Sequence, residues 1–328
     1  MNTNFPAVTA SAPGKLMLSI GYAVVHGYST VATAVDQRLR ATVAKNNSDW
    51  FHLQAPDLGL TDYSKQLSAL GTDQLPKSVR FIETFYKNFL KKHPQSTGIS
   101  VTTSSDFSAS YGFGSSSAVT VAFAKALMEL YGLKISNKEL FDLTYHAVLE
   151  VQGVGSGYDL AAAIWGGTLR YVKPAKTIEP IIISGLPLII AYTGEKADTP
   201  TLVRVVNSLH ERHPQKIGRV FKEIDAIALG LETALTKKDW PAVGKFFQRS
   251  QQAARELEVS NIKIEKLVEA AEKAGAYGAT CSGAGGGDCV LAIAERSTFS
   301  QVREALEQAG AKILDVKVNA PGVRIELN

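Results

Sequence analysis

Two hydrophobic rhythms run along the chain. Near the N-terminus, "KLMLSIGYAVV", "RLRATVAKN" and "WFHLQA" run apolar or alternate every second residue, which predicts strands of a mainly antiparallel sheet. "SVRFIETFYKNFLKK" instead sets Val79, Ile82, Phe85, Tyr86 and Phe89 at helical spacing. "SSAVTVAFAKALMELYG" predicts a second helix closed by Gly132. Ser136 and Glu139 form a capping-box pattern that opens a third, running to about Glu150. A short Ala-rich helix follows the glycines of "VQGVGSGYDLAAAIWGG", and "IEPIIISG" with "LPLIIAYTG" reads as a strand pair.

After Thr193 the helical rhythm dominates, over roughly 200–210, 216–236 and 239–273. "YGATCSGAGGGDCVLAIAE" then reads as strand, glycine loop, strand; "STFSQVREALEQAG" as a helix; "KILDVKVNAPGVRIELN" as a final strand pair. The shift predicts a domain change near 180–198, dividing the chain into 1–185 and 186–328. The fold class expected is α+β.

Composition narrows the function classes. The 328 residues are 45% hydrophobic and 20% charged, enough to bury a sizeable core. A net charge of +4, from 35 basic and 31 acidic residues, is too small an excess to argue for nucleic acid. Cys281 and Cys289 have no CxxC spacing, so neither a disulfide framework nor a structural zinc site is expected. No apolar run approaches the ~20 residues that span a bilayer; the longest, "PIIISGLPLIIAY", is broken by Gly185 and Pro187. A soluble, cytoplasmic protein without membrane or nucleic-acid partners is expected.

Four clusters carry candidate chemistry. In "YGFGSSSAV", Gly112 and Gly114 permit close backbone approach, and three serines lead into a helix. A helix N-terminus offers unpaired N–H groups and the positive end of the dipole, which favour phosphate. The alternative is a serine N-cap after a glycine turn. The GxxxxGK[ST] pattern of a Walker A loop is absent. In "SAPGKLML", Pro13–Gly14 delivers Lys15 at the head of a strand, as a site cation or a surface ion-pair partner. In "GVGSGYDLAAA", Asp159 opens a helix, as a catalytic carboxylate or a charge favoured by the dipole. In "TCSGAGGGDCVLAIA", glycines at 283, 285, 286 and 287 exceed what a hairpin needs, so close packing against a ligand or another glycine loop is expected. Together, two glycine loops, a lysine and an acid are the parts of a phosphoryl-transfer site. His26 faces substrate or packs locally, and His146, on an apolar helix, reads as core.

With "APGKLML", "GFGSSSA" and "SGAGGGDCVLAI" in that order, the chain resembles the GHMP kinase superfamily over essentially its whole length. Within it, the Asp288–Cys289 pair and "GSGYDLAAAIWGG" are most similar to bacterial-type phosphomevalonate kinases. The resemblance implies a two-domain fold, with an N-terminal nucleotide-binding domain like ribosomal protein S5 domain 2 and a ferredoxin-like C-terminal domain. It implies ATP and Mg²⁺ as cofactors. Gly112, Phe113, Gly114, Ser115, Ser116 and Ser117 would wrap the nucleotide phosphates, with Ser116 and Glu150 on the metal. Lys15 and Asp159 would be catalytic, and Lys15, His26, Thr199, Ser282, Gly283, Ala284 and Gly285 would meet substrate, the helix at Thr199 holding its phosphate. The implied reaction converts 5-phosphomevalonate to its diphosphate in a monomer or homodimer. The alternatives are a mevalonate kinase, or an impaired protein of this fold that binds ligand only. The chain departs from the family pattern at Ile20–Gly21, where Gly-Glu is usual, and at Ala109–Ser110, where a basic residue often precedes the serine loop. "VVHGYSTVATAVDQRLRA" has a mevalonate kinase flavour.

Overall fold

The computed structural model describes residues 6–72 and 77–327. The alternating N-terminal segments form β1 (Val8–Met17), β2 (Ser29–Lys45), β3 (Trp50–Ala55) and β4 (Leu60–Gln66). Then come α1 (Lys77–Lys92), β5 (Ile99–Ser105), α2 (Ser115–Leu130), α3 (Asn137–Gln152), α4 (Tyr158–Trp165), β6 (Thr168–Val172) and β7 (Thr177–Ile181). β8 (Leu188–Tyr192) precedes α5 (Thr199–Arg212), α6 (Pro214–Lys237), α7 (Trp240–Glu256) and α8 (Ile262–Lys273). β9 (Ala276–Cys281), β10 (Cys289–Ala294), α9 (Phe299–Gln308), β11 (Lys312–Ile313) and β12 (Arg324–Ile325) follow. Among the described residues no helix is long and apolar enough to cross a membrane.

The first sheet has the order β12-β1-β2-β5-β3-β4, with β6 and β7 attached through β2. The 17 residues of β2 serve two partners on one edge: Ser29–Thr33 pair with β6 and Leu39–Lys45 with β5. All pairings are antiparallel except β3 with β5. The second sheet, β11-β8-β10-β9, is antiparallel throughout. β7 therefore pairs with β6 in one sheet while β8 joins the other, so "IEPIIISG" and "LPLIIAYTG" are not partners. The last two strands separate likewise, β11 onto β8 and β12 back onto β1.

The segment 239–273 is two helices. Asp239 caps α7 by accepting from Ala242 N–H at 3.0 Å, and Asn261 caps α8 by accepting from Ile264 N–H at 2.9 Å. Between them Glu258 has φ +57°, a left-handed position that ends helical geometry. Tyr22–His26 form a 3₁₀ turn rather than more strand, and His146 is exposed rather than core.

The molecule has two apolar cores, and the first takes Ile190, Leu291 and Ile293 from one face of the second sheet. Val31, Val35, Phe51, Tyr86, Phe123 and Phe141 lie in the first; Ile189, Ile264, Leu267, Val290 and Leu306 lie in the second. α6 belongs to both: Ile217, Val220, Phe221 and Ile224 enter the second core, and Ile227, Ala228, Leu231 and Leu235 the first. Ile20, Tyr22 and Ala23, just past β1, are also buried in the second core.

Candidate active site

The loop before α2 is shaped by two left-handed glycines, Gly112 (φ +74°) and Gly114 (φ +73°). Gly114 is the N-cap of α2 and brings no side-chain cap, so the first N–H groups of the helix stay unpaired. The serine N-cap alternative thus fails: no serine caps this helix. Ser115 and Ser116 are half-buried, with no protein hydrogen bond to their hydroxyls among the described residues. Ser117 is buried, and its hydroxyl donates to Asp159 Oδ2 at 2.5 Å. Phe113 faces inward, packed between Phe107 and Tyr111, and contributes to the loop only through its backbone.

Lys15 enters from β1 just after the register shift at Pro13/Lys15. Its backbone N–H donates to Phe113 O at 2.9 Å and its Nζ to Gly112 O at 2.7 Å, so strand and loop are fixed together. Burial lowers the pKa of the ammonium. The Tyr158 oxygen, then Asp159, and further off Asp288, raise it, and the net direction is upward, so Lys15 remains a cation. Asp159 comes from the first turn of α4, whose N-cap Gly157 (φ +85°) also leaves N–H groups uncapped. Its Oδ1 accepts from Leu160 N–H at 3.1 Å. Two helix N-termini, one cation and one carboxylate thus converge on the hydrogen bond between Ser117 and Asp159.

The third glycine loop borders this cluster but is held mainly by protein. Ser282 Oγ donates to Met17 O at 2.8 Å and accepts from Met17 N–H at 3.2 Å, so it is tied to β1. Gly21 N–H donates to Gly283 O at 2.9 Å, and Tyr22 Oη to Ala284 O at 2.8 Å. A Cβ at Gly285 would lie 2.5 Å from Val259 O, and one at Gly286 2.6 Å from Leu202. The close packing expected of these glycines is therefore against protein. Only Gly283 looks into space, the nearest atom to its absent Cβ being Tyr158 Oη at 4.0 Å. A side chain at Gly21 would collide with Met17, whose thioether fills the place next to that backbone.

Three expected residues are drawn elsewhere. The Glu150 carboxylate is taken by Lys87 and, at 2.7 Å, by Asn88 Nδ2, on the α1 side of α3. Burial raises its pKa, but these two partners lower it further, so both oxygens are already committed outside the cluster. His26 stacks on Phe221 at 4.7 Å and meets His210 edge-on at 5.6 Å. Thr199 opens α5, but Asp198 caps it, accepting from Thr201 N–H at 3.4 Å and Oγ1 at 2.6 Å. An acid there satisfies the helix terminus and opposes a second anion, which is a physical reason against a phosphate held at Thr199.

The sequence reading missed Tyr158, Asp288 and Lys196. Asp288 is a non-glycine at φ +54°, its carboxylate set against Gly112 and accepting from Ala197 N–H at 3.0 Å. Burial raises its pKa against the lowering effects of the Ala197 N–H, Lys15 and Lys196, and burial wins. Lys196 donates to Ala109 O at 3.0 Å, bringing a basic group to the loop whose own sequence lacks one. For Tyr158 the signal was its place one residue before Asp159 at a helix start. For Lys196 no local pattern existed.

Residues 80–167 match the model described as GHMP kinases N terminal domain, and residues 231–312 that described as GHMP kinases C terminal. The mevalonate kinase of Thermococcus onnurineus (strain NA1) is 32% identical over 340 residues, spanning 97% of this chain and 98% of its own length. That of Pyrococcus horikoshii is 31% identical over 335 residues, with coverage of 97% and 98%. Among solved structures, the Lin0012 protein of Listeria innocua superposes with a TM-score of 0.85 at 23% identity, covering 98% of this chain and 100% of that one. The expectation of a phosphomevalonate kinase, drawn from Asp288–Cys289 and the acid loop, is corrected by these relatives, which are named for mevalonate instead.

Proposed function

The chain belongs to the GHMP kinases and has their two-domain fold, and on that premise we propose that it transfers the γ-phosphoryl group of ATP to the 5-hydroxyl of mevalonate. The observation that carries the reading is the Ser117–Asp159 hydrogen bond at 2.5 Å between the starts of α2 and α4, with Lys15 alongside.

Phosphoryl transfer asks a protein for positioning and charge stabilisation. The open N-terminus of α2 supplies N–H donors for the nucleotide phosphates, and the hydroxyls of Ser115 and Ser116 add acceptors and donors beside them. Lys15 offsets negative charge on the transferring group. A hydroxyl acceptor must lose its proton as the phosphorus–oxygen bond forms, and Asp159 is the group in reach to take it. Ser117 holds that carboxylate in orientation.

Mg²⁺ is a hard cation that binds through one or two protein oxygens together with phosphates. Among the described residues no group of three or more His, Cys, Asp or Glu forms a self-sufficient metal site, which suits an ion arriving with the nucleotide. The Ser116 hydroxyl is the oxygen that fits, Glu150 being engaged by Lys87 and Asn88 and Asp159 being bonded to Ser117 and kept for the acceptor's proton. Bound there, the ion would neutralise developing charge on the phosphates.

The test is an ADP-release assay with mevalonate, its 5-phosphate and its 3-phosphate. Turnover with mevalonate is expected, and Asp159→Asn should lower kcat by about 10²–10⁴-fold. No ADP release with mevalonate, or near-wild-type turnover by the Asp159→Asn enzyme, would overturn the reading.

A further inference from the structure

The mechanism above leaves one group of the cleft unused. Tyr158 is the first residue of α4, so the helix start that presents Asp159 presents this phenol too. Lys15 Nζ lies 5.4 Å from the centre of its ring, and the phenol oxygen helps to stabilise the Lys15 charge. On the far side the hydroxyl faces the bare backbone of Gly283 across a gap.

The fate of its proton sets Tyr158 apart from three other tyrosines around the site. Tyr22 donates to Ala284 O at 2.8 Å, Tyr145 to Gly155 O at 3.0 Å, and Tyr171 to Ser156 O at 2.6 Å. Each closes a loop of the site with that bond. Tyr158 Oη lies beside the Lys15 ammonium and donates to no protein atom among the described residues. Burial raises its pKa and Lys15 lowers it, with a net rise, so the phenol keeps its proton at neutral pH. A half-buried donor without a partner, between the catalytic lysine and a glycine that leaves room, is a hydrogen bond waiting for a ligand atom.

We infer that Tyr158 is a positioning and acceptor-binding residue: its oxygen holds Lys15, and its O–H binds an oxygen of the hydroxylated acceptor. The acceptor side is favoured because Tyr158 adjoins Asp159, the group assigned to take the acceptor's proton, and its hydroxyl is directed to Gly283. The inference rests on the kinase reading above.

Tyr158→Phe keeps the ring and removes the hydroxyl; Tyr158→Leu removes both and controls for packing. The Phe variant should raise KM for the acceptor about tenfold, the worth of one buried hydrogen bond, with KM for ATP unchanged. Competitive acetylation of Lys15 with acetic anhydride across pH, read by peptide mass spectrometry, should show Lys15 titrating at lower pH in the variant. Either readout left at its wild-type value overturns the half of the inference it reads. The labelling does not depend on which acceptor is used. Failure of wild-type turnover with mevalonate would therefore strike the functional reading and leave the Lys15–Tyr158 result to stand or fall by itself.

Discussion

Gly112 and Gly114 lie beside side chains of the site, whereas Gly285 and Gly286 lie against the frame of the protein. A Cβ at 112 would press on Asp288 and one at 114 on Lys15 Cε at 2.9 Å. At 285 and 286 it would meet the backbone of Val259 and the side chain of Leu202. All four backbones are left-handed, and on sequence the third loop is the richer in glycine, with four against two. What distinguishes them is the state of their polar groups. The first loop leaves the N–H groups of α2 and two serine hydroxyls unengaged. The third has its serine bonded to Met17 and its backbone bonded to Ser19, Gly21 and Val259. A loop that binds ligand is recognised by unmet hydrogen-bonding capacity, and glycine content alone does not reveal it.

The contrast can be broken by substitution. Gly114→Ala should have the largest effect on chemistry, because it forces Lys15 off its Gly112 carbonyl. Displacing a catalytic group by about 1 Å costs roughly 10²-fold in kcat, measurable by steady-state kinetics on protein still folded by circular dichroism. Gly285→Ala should act on stability, lowering it by about 1–3 kcal/mol through strain and overpacking, seen as a lower Tm with kcat nearly retained. A Gly285→Ala enzyme that keeps its Tm and loses turnover would erase the distinction.

The smallest effect is expected at Asp288. Its folded pKa lies above the unfolded value because burial dominates. The native state therefore holds the proton more tightly, and stability falls as pH rises from the unfolded pKa through the folded one. Above that window the cost is fully present. Asp288→Asn should thus raise Tm slightly at neutral pH, and the gain should vanish below the unfolded carboxylate pKa. Thermal melts at acid and neutral pH check the sign.

Much of the architecture was legible because it is local. The spacing of Val79, Ile82 and Phe85 dictates an amphipathic α1, and the Ser136–Glu139 capping box forms as the sequence predicts. Pairing was not legible: an apolar run specifies a strand but not its neighbour, so β7 and β8 go to different sheets. The break between α7 and α8 has no glycine or proline to announce it, only Glu258 in a left-handed conformation. In the site, Lys15, Ser117 and Asp159 were readable from their motifs. Glu150 was not, because its spacing from Asp159 says nothing of Lys87 and Asn88 on another helix. Lys196 reaches Ala109 from 87 positions away, beyond any local pattern.

α6 has one further consequence. A single uninterrupted rod that lines both apolar cores leaves the halves of the molecule little freedom to swing apart as rigid jaws, since any such rotation would have to bend 24 residues of helix or tear one set of contacts.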